Sequence, residues 1–175
     1  QSAMKRANRA SELLLRDAEI LGSLAGLAGA PFKAKALRDA WELTLVHQFH
    51  DILPGSSIGM VYAEALRTHA QIQETARQSI DRSIKALVPD RSRAANAMRV
   101  FNTLSWPRQD IVQAEIADRP GRIGLQAPDG AVRPAQVVAR SNGRATIMFQ
   151  GAGVPSVGCA TFRLTDMKTP VQSDI

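Results

Sequence analysis

The sequence has few cysteines and few aromatic residues, and its apolar runs are short. Cys159 is the single cysteine of the 175 residues, which excludes an internal disulfide framework and a zinc site built from several cysteines. The most apolar run, residues 21–32, is interrupted by glycines and by Pro31, and it is shorter than the ~18 residues that a membrane span needs. No signal-peptide pattern opens the chain, which favours a cytoplasmic location. Because Gln1 is not an initiator methionine, we expect the sequence to be a piece of a longer protein.

The net charge of +6 at pH 7 raises the question of nucleic-acid binding. The arginines are scattered along the whole chain, and the tightest group, Arg91, Arg93 and Arg99, lies in a polar stretch between two differently patterned halves. Aromatic residues, which stack on bases in single-strand-binding proteins, make up only 5% of the chain. We therefore expect neither a nucleic-acid partner nor a membrane partner.

The first half of the chain has the periodicity of helices. Apolar residues recur at steps of three and four in residues 3–27, 32–49 and 58–87, and charged residues occupy the remaining faces. Short turns with glycine and proline separate these runs, so residues 1–88 are predicted to form an antiparallel three-helix bundle. The predicted core comprises Leu14, Leu21, Leu37, Trp41, Leu45, Val61, Ala65 and Ile72. On the second helix the predicted apolar stripe is Leu37, Trp41, Leu45 and Phe49.

Short β-type runs follow a polar connector predicted at residues 89–98. The runs cover residues 100–102, 111–116, 123–126, 132–140, 146–150 and 159–164, and turn signals such as Asn142-Gly143 separate them. Strands of this length and spacing predict an antiparallel sandwich or barrel. The predicted fold class is therefore α+β, with a three-helix bundle followed by part of an antiparallel β-sandwich-like domain. Residues 99–175 are expected to be the first part of that larger β domain.

The turn between the second and third helical patterns holds an unusual density of functional side chains. Residues 47–57 read HQFHDILPGSS. Pro54 cannot continue a helix, and Gly55 allows a sharp turn. Ser56 or Ser57 is expected to cap the third helix by accepting its free amide hydrogens.

Histidine and aspartate at a helix end suit several kinds of chemistry. His50 could serve as a zinc or iron ligand, as a general base, or as a capped core residue, and Asp51 can face the same cavity where the backbone leaves helical geometry. Zinc takes three or four nitrogen, oxygen or sulfur ligands. His47, His50, Asp51 and the distant His69 do not by themselves assemble a complete site.

Residues 48–58, QFHDILPGSSI, resemble the signature of the glycoside hydrolase family 38 α-mannosidases. In that family the signature lies between two helices of the three-helix bundle that follows the catalytic α/β barrel. Residues 5–9, KRANR, resemble the first helix of that bundle, and residues 100–108, VFNTLSWPR, resemble the opening strand of the family's C-terminal β domain. Residues 134–137 are more weakly similar to a later strand. The resemblance covers most of the chain in the family's order.

The resemblance implies a role for each residue of the turn. His50 matches a ligand of the single active-site metal, usually zinc, and Asp51 matches a carboxylate that contacts sugar hydroxyls. His47 matches no metal ligand and is expected on the helix surface or behind the ligand, and His69 is expected on the bundle surface. The family's reaction is retaining hydrolysis of terminal α-mannosides by two carboxylates, with the metal orienting the sugar. Both carboxylates and the other metal ligands come from the barrel, which nothing here resembles. The resemblance therefore implies that the missing barrel domain completes the site and that this chain holds no nucleophile or acid/base.

Two other functions stay open from the sequence. A free-standing carbohydrate-binding or interaction module would carry the same bundle without catalysis, and a nucleic-acid-binding protein would be retained on DNA in a salt-dependent way. The resemblance favours a zinc-dependent α-mannosidase whose partner is a mannose-containing glycan and whose activity this chain alone lacks. The sequence is compatible with an oligomer.

Overall fold

The computed structural model describes residues 2–88 and 96–167, in which three helices precede six strands. The chain divides into two compact units, Gln1–Pro89 and Asp90–Ile175. Of the predicted connector, residues 89–95 lie outside the described residues, and its last two positions already belong to the first strand. Within the described part of the chain, no helix combines the length and hydropathy needed to cross a bilayer.

The first unit is the predicted three-helix bundle. Helix α1 spans Ser2–Leu27, α2 spans Ala34–Val46 and α3 spans Gly59–Leu87. At the end of α1, Gly29 has φ +88° and the amide of Ala30 donates to the carbonyl of Ala25 at 2.9 Å, which is the usual left-handed glycine cap. Helix α2 begins two residues later and ends three residues earlier than predicted.

The buried face of α2 differs from the predicted one. The predicted core residues Leu21, Leu37, Ala65 and Ile72 are buried, and Leu14 and Trp41 are partly buried against the same cluster. Val61 is only half-buried. Leu45 and Phe49 were predicted in the apolar stripe, but they are 60% and 55% exposed. The residues of α2 that face the bundle are Leu37, Ala40 and Thr44, which alternate steps of three and four.

Small hydroxyl side chains contribute to the bundle core. Ser11, Thr44 and Ser83 are buried, and each hydroxyl donates to the carbonyl four residues earlier in its own helix, at 3.0, 2.9 and 2.8 Å. The hydrogen bond gives the hydroxyl proton an acceptor within its own helix. The interior of the bundle is therefore partly polar although it is closely packed.

The second unit is an antiparallel sheet of six strands. These are β1 (Ala97–Asn102), β2 (Arg108–Ala117), β3 (Ile123–Gln126), β4 (Val132–Ser141), β5 (Arg144–Val154) and β6 (Gly158–Asp166). Their order in the sheet is β1-β6-β3-β4-β5-β2. Strands β1 and β6 also contact β5, which is not their neighbour in the sheet. The sheet therefore curls almost into a barrel around one apolar core that includes Ile123, Leu125, Ile147, Phe149 and Phe162. The α+β fold class predicted from the sequence is confirmed.

Candidate functional site

The site lies at the corner between α2 and α3, which we define as residues 47–58. The backbone tightens where α2 ends, because the amides of Gln48 and Phe49 donate to carbonyls only three residues earlier, at 3.1 and 3.2 Å. A further turn follows, in which the amides of Ile52 and Leu53 both donate to the carbonyl of Phe49. The side chains of the corner are thus presented from turns and not from a regular helix.

Two serines form hydrogen bonds that stabilise the downstream half of the corner. Gly55 has φ +74°, a conformation that glycine adopts without steric cost. The hydroxyls of Ser56 and Ser57 both donate to the backbone carbonyl of Asp51. The predicted serine cap is wrong, because α3 has Ile58 at its N-cap position and no side-chain cap. The serines hold the backbone beside the candidate site instead.

His50 and Asp51 lie side by side on the surface of the corner. Their side chains are 77% and 62% exposed, and His50 Nε2 is 3.5 Å from Asp51 Oδ2. The ring of Phe49 packs on the imidazole with ring centroids 4.2 Å apart. An imidazole nitrogen and a carboxylate oxygen are therefore available to the same small ligand.

These two side chains fit a divalent metal chemically but supply only part of a site. Imidazole and carboxylate are both common zinc ligands, and zinc takes four donors in most protein sites. Among residues 2–88 and 96–167, no group of three or more His, Cys, Asp or Glu side chains is arranged to hold a metal ion. A metal bound at His50 would need donors from elsewhere.

His47 and His69 are buried in the bundle. The predicted surface position of His69 is therefore wrong, and of the two positions expected for His47, on the helix surface or behind the ligand, burial excludes the first. His69 has no exposed surface and His47 is 9% exposed, and their ring centroids are 5.3 Å apart in an edge-on contact. His47 Nδ1 donates to the carbonyl of Leu43 at 2.6 Å, which makes it a cap of α2. Burial and the neighbouring His47 hold the pKa of His69 below its ordinary value of 6.5.

A hydrogen-bond network joins the corner to α1. Gln48 Nε2 donates to Glu12 Oε1 at 2.8 Å and to Asn8 Oδ1 at 3.3 Å. Asn8 Nδ2 donates to the same oxygen of Glu12 at 3.0 Å. Sequence reasoning gave Asn8, Glu12 and Gln48 no role in the site, although Asn8 falls on the buried stripe of α1 with Met4, Ser11 and Leu15. A polar residue at such a position was the available signal.

Large apolar side chains are exposed around the corner. Leu43, Leu45, Val46, Phe49, Ile58 and Met60 are 44–72% exposed. Single exposed apolar residues are ordinary on proteins, whereas several near one turn mark a surface that is suited to being covered.

Residues 1–87 match the family model of the α-mannosidase middle domain. The chain is 32% identical over 146 residues to α-mannosidase 2C1 of Homo sapiens, a match that covers 82% of this chain and 13% of that protein. It is 38% identical over 84 residues to α-mannosidase G of Dictyostelium discoideum, covering 48% of this chain and 8% of the relative. The chain thus spans only about an eighth of the length of its human relative.

The fold resembles that of a solved protein in glycosyl hydrolase family 38 from Enterococcus faecalis. The TM-score is 0.77 at 14% identity, and the match covers 95% of this chain and 25% of the other. At that identity the likeness concerns the fold, and the sequence relatives carry the assignment. Together, the family model, the sequence relatives and the shared fold show that the chain belongs to the glycoside hydrolase family 38 α-mannosidases.

Proposed function

We propose that this chain is the helical middle part and the start of the β domain of a metal-dependent retaining α-mannosidase that hydrolyses terminal α-mannosides of glycans. The observation that carries the proposal is the exposed His50–Asp51 pair at the corner of the bundle, within the residues that match the α-mannosidase family model. Both side chains are free to act on a ligand outside the bundle.

The two residues have different roles in the proposed site. His50 would hold the metal, usually zinc in this family, through an imidazole nitrogen of its exposed side chain. Asp51 accepts hydrogen bonds from sugar hydroxyls, because a carboxylate offers several acceptor positions. The metal, when bound, supplies Lewis-acid contacts that orient the sugar ring. The corner therefore binds and orients the sugar through non-covalent contacts, and it forms no covalent bond with the sugar.

The nucleophile, the acid/base and the other metal ligands lie outside this chain in the proposed enzyme. Retaining hydrolysis needs two carboxylates about 5–5.5 Å apart on either side of the scissile bond. The exposed apolar side chains around the corner, together with the small share of the relatives' length that the chain spans, support a further domain that covers this surface. We expect that domain to be the catalytic barrel of the family.

Metal analysis of two histidine variants of the complete enzyme tests the proposal. His50→Ala should remove most of the bound metal and most of the activity, because it deletes a ligand. His47→Ala should keep the metal, because His47 faces the bundle interior. Circular dichroism should first show that both variants are folded at the temperature of the assay. Native metal content in the His50 variant would contradict the assignment.

A further inference from the structure

Asn8, Glu12 and Gln48 form a side-chain network between distant parts of the chain. Gln48 lies 36 residues from Glu12 and 40 residues from Asn8, and the three side chains share the hydrogen bonds described above. Arg9 adds an ion pair to the second oxygen of Glu12 at 3.3 Å. One carboxylate thus accepts from two amides and one guanidinium.

The burial of the network separates it from an ordinary surface contact. Asn8 is 7% exposed, and the side chain of Glu12 is 28% exposed. A partly buried carboxylate is costly unless its oxygens are hydrogen-bonded, and here both are. By contrast, Gln78 donates to Glu74 over the same 2.8 Å, but that pair is exposed and lies one turn apart on α3.

We propose that Asn8, Glu12 and Gln48 are positioning residues that fix the direction in which the corner presents His50. Gln48 precedes His50 by two residues, at the point where the regular hydrogen bonds of α2 have ended. The α-helical ladder therefore does not set the orientation of His50, and the side chain of Gln48 ties the backbone to α1 instead. The serine bonds to the Asp51 carbonyl hold the other side of the corner. This role rests on the proposed function of His50.

Replacing Gln48 by leucine tests the positioning role in the chain itself. Gln48→Leu should speed hydrogen exchange of the corner amides, those of Ile52, Leu53 and Gly55, by about tenfold or more, because their turn loses its connection to α1. Amides in the middle of α3 should exchange at the native rate. The matched control is Gln78→Leu, which removes the same type of hydrogen bond far from the corner and should leave corner exchange unchanged. If the corner amides of Gln48→Leu exchange at the native rate, the proposal is overturned.

The complete enzyme supplies the functional readout. Residues behind a metal ligand typically alter metal affinity or activity by about 10–100-fold when they are changed. We expect a loss of zinc affinity in that range for Gln48→Leu and none for Gln78→Leu. Equal zinc affinity in the two variants would overturn the positioning role.

A swap of the two side chains at positions 12 and 48 separates the positioning role from a general loss of stability. Gln48→Glu places a second carboxylate against Glu12, so it should weaken zinc binding at least as much as Gln48→Leu. Adding Glu12→Gln restores an amide donor opposite a carboxylate acceptor, and zinc affinity should return towards the native value. Failure of this rescue, with both variants folded, would contradict the proposal.

The outcomes distinguish the inference from the function on which it rests. If His50→Ala loses the metal while Gln48→Leu keeps native affinity, the positioning role is wrong and the proposed function stands. If His50→Ala keeps the metal, the proposed function is wrong and the positioning role falls with it.

Discussion

His69 has an unusual environment for a histidine in the middle of a helix. Its Nδ1 is 2.9 Å from the hydroxyl oxygen of Ser11, and that hydroxyl donates its single proton to the carbonyl of Ala7. His69 Nδ1 is therefore the donor, and Nε2 carries no proton in the neutral ring. Nε2 has no hydrogen-bond partner within the described residues. A proton added there would create a buried cation without an acceptor.

The pKa of His69 predicts how bundle stability depends on pH. Because the folded-state pKa lies below the ordinary value of 6.5, the unfolded chain binds the proton more readily than the folded chain. The free energy of unfolding should therefore be highest above about pH 7 and should fall as the pH drops through 6.5 towards the lower folded-state pKa. Urea unfolding of the native chain and of His69→Asn at several pH values measures this dependence.

The asparagine keeps a donor near Ser11 and removes the titration, so the His69→Asn variant should lose much of the pH dependence in this range. Gln78→Leu is the matched control, because it changes an exposed residue of α3 that does not titrate and should keep the native dependence. The same dependence in native protein and His69→Asn would contradict the prediction.

The positions of single residues could be predicted from the sequence at the corner, where the backbone leaves the helix. They were predicted less well inside a helix. Pro54 and Gly55 located the corner, where the side chains of His50 and Asp51 are exposed. The burial of His69 was missed, although the residue lies four positions after Ala65 and three before Ile72 on the buried stripe of α3. What a lone histidine does not reveal is the Ser11 hydroxyl opposite it. The ligand role of His50 and the sugar contact of Asp51 stay predictions.

At the scale of a helix, α2 offers a direct test of which face is buried. Leu37 is 1% exposed and Leu45 is 60% exposed on the same helix. Leu37→Ala should reduce the free energy of unfolding of the bundle by about 2–5 kcal/mol, because it leaves a cavity in a packed core. Leu45→Ala should change it by about 0.5 kcal/mol or less. Urea denaturation followed by far-UV circular dichroism measures both changes. Equal losses in the free energy of unfolding would contradict the assignment of Leu37 to the buried face and Leu45 to the exposed face.

The error on α2 has a geometric cause. The predicted stripe Leu37, Trp41, Leu45 and Phe49 advances by four residues at each step. Because an α-helix has 3.6 residues per turn, each such step drifts by about 40°, and three steps leave the original face. The observed face alternates threes and fours through Ala40 and Thr44. A pattern of large apolar residues alone does not reveal such small or hydroxyl-bearing positions.

The strands were predicted more accurately than the helix faces. All six runs are strands, and Asn142-Gly143 forms the expected two-residue hairpin turn, with φ values of +50° and +72°. Turn residues and β-branched runs determine the local structure of the segment in which they stand, so strands and turns can be recognised from short stretches of the sequence. The order of the strands depends on pairing between distant segments, and the choice between sandwich and barrel stayed open for that reason.

For the whole molecule, we predict that the purified chain hydrolyses no aryl α-mannoside. In the proposed enzyme the corner supplies a metal ligand and a sugar contact, whereas both reacting carboxylates lie elsewhere. A release assay at high protein concentration measures this, with a known α-mannosidase as the positive control. Turnover that follows the chain through purification would show that the chain contains its own nucleophile.

The position of β6 in the sheet has a consequence for biosynthesis. Of the strands in the described part of the chain, β6 comes last; it lies between β1 and β3, and within that part it is the only sheet neighbour of β1, pairing Ala97 with Arg163 and Asn102 with Gly158. Contacts between such distant segments require closure of long loops and slow the folding of a domain. During translation β1 leaves the ribosome well before its partner exists, so β1 cannot join the sheet until the chain has been made as far as Asp166, whereas β2, β3, β4 and β5 can already pair with one another. The helical unit can fold as soon as Leu87 has cleared the exit tunnel.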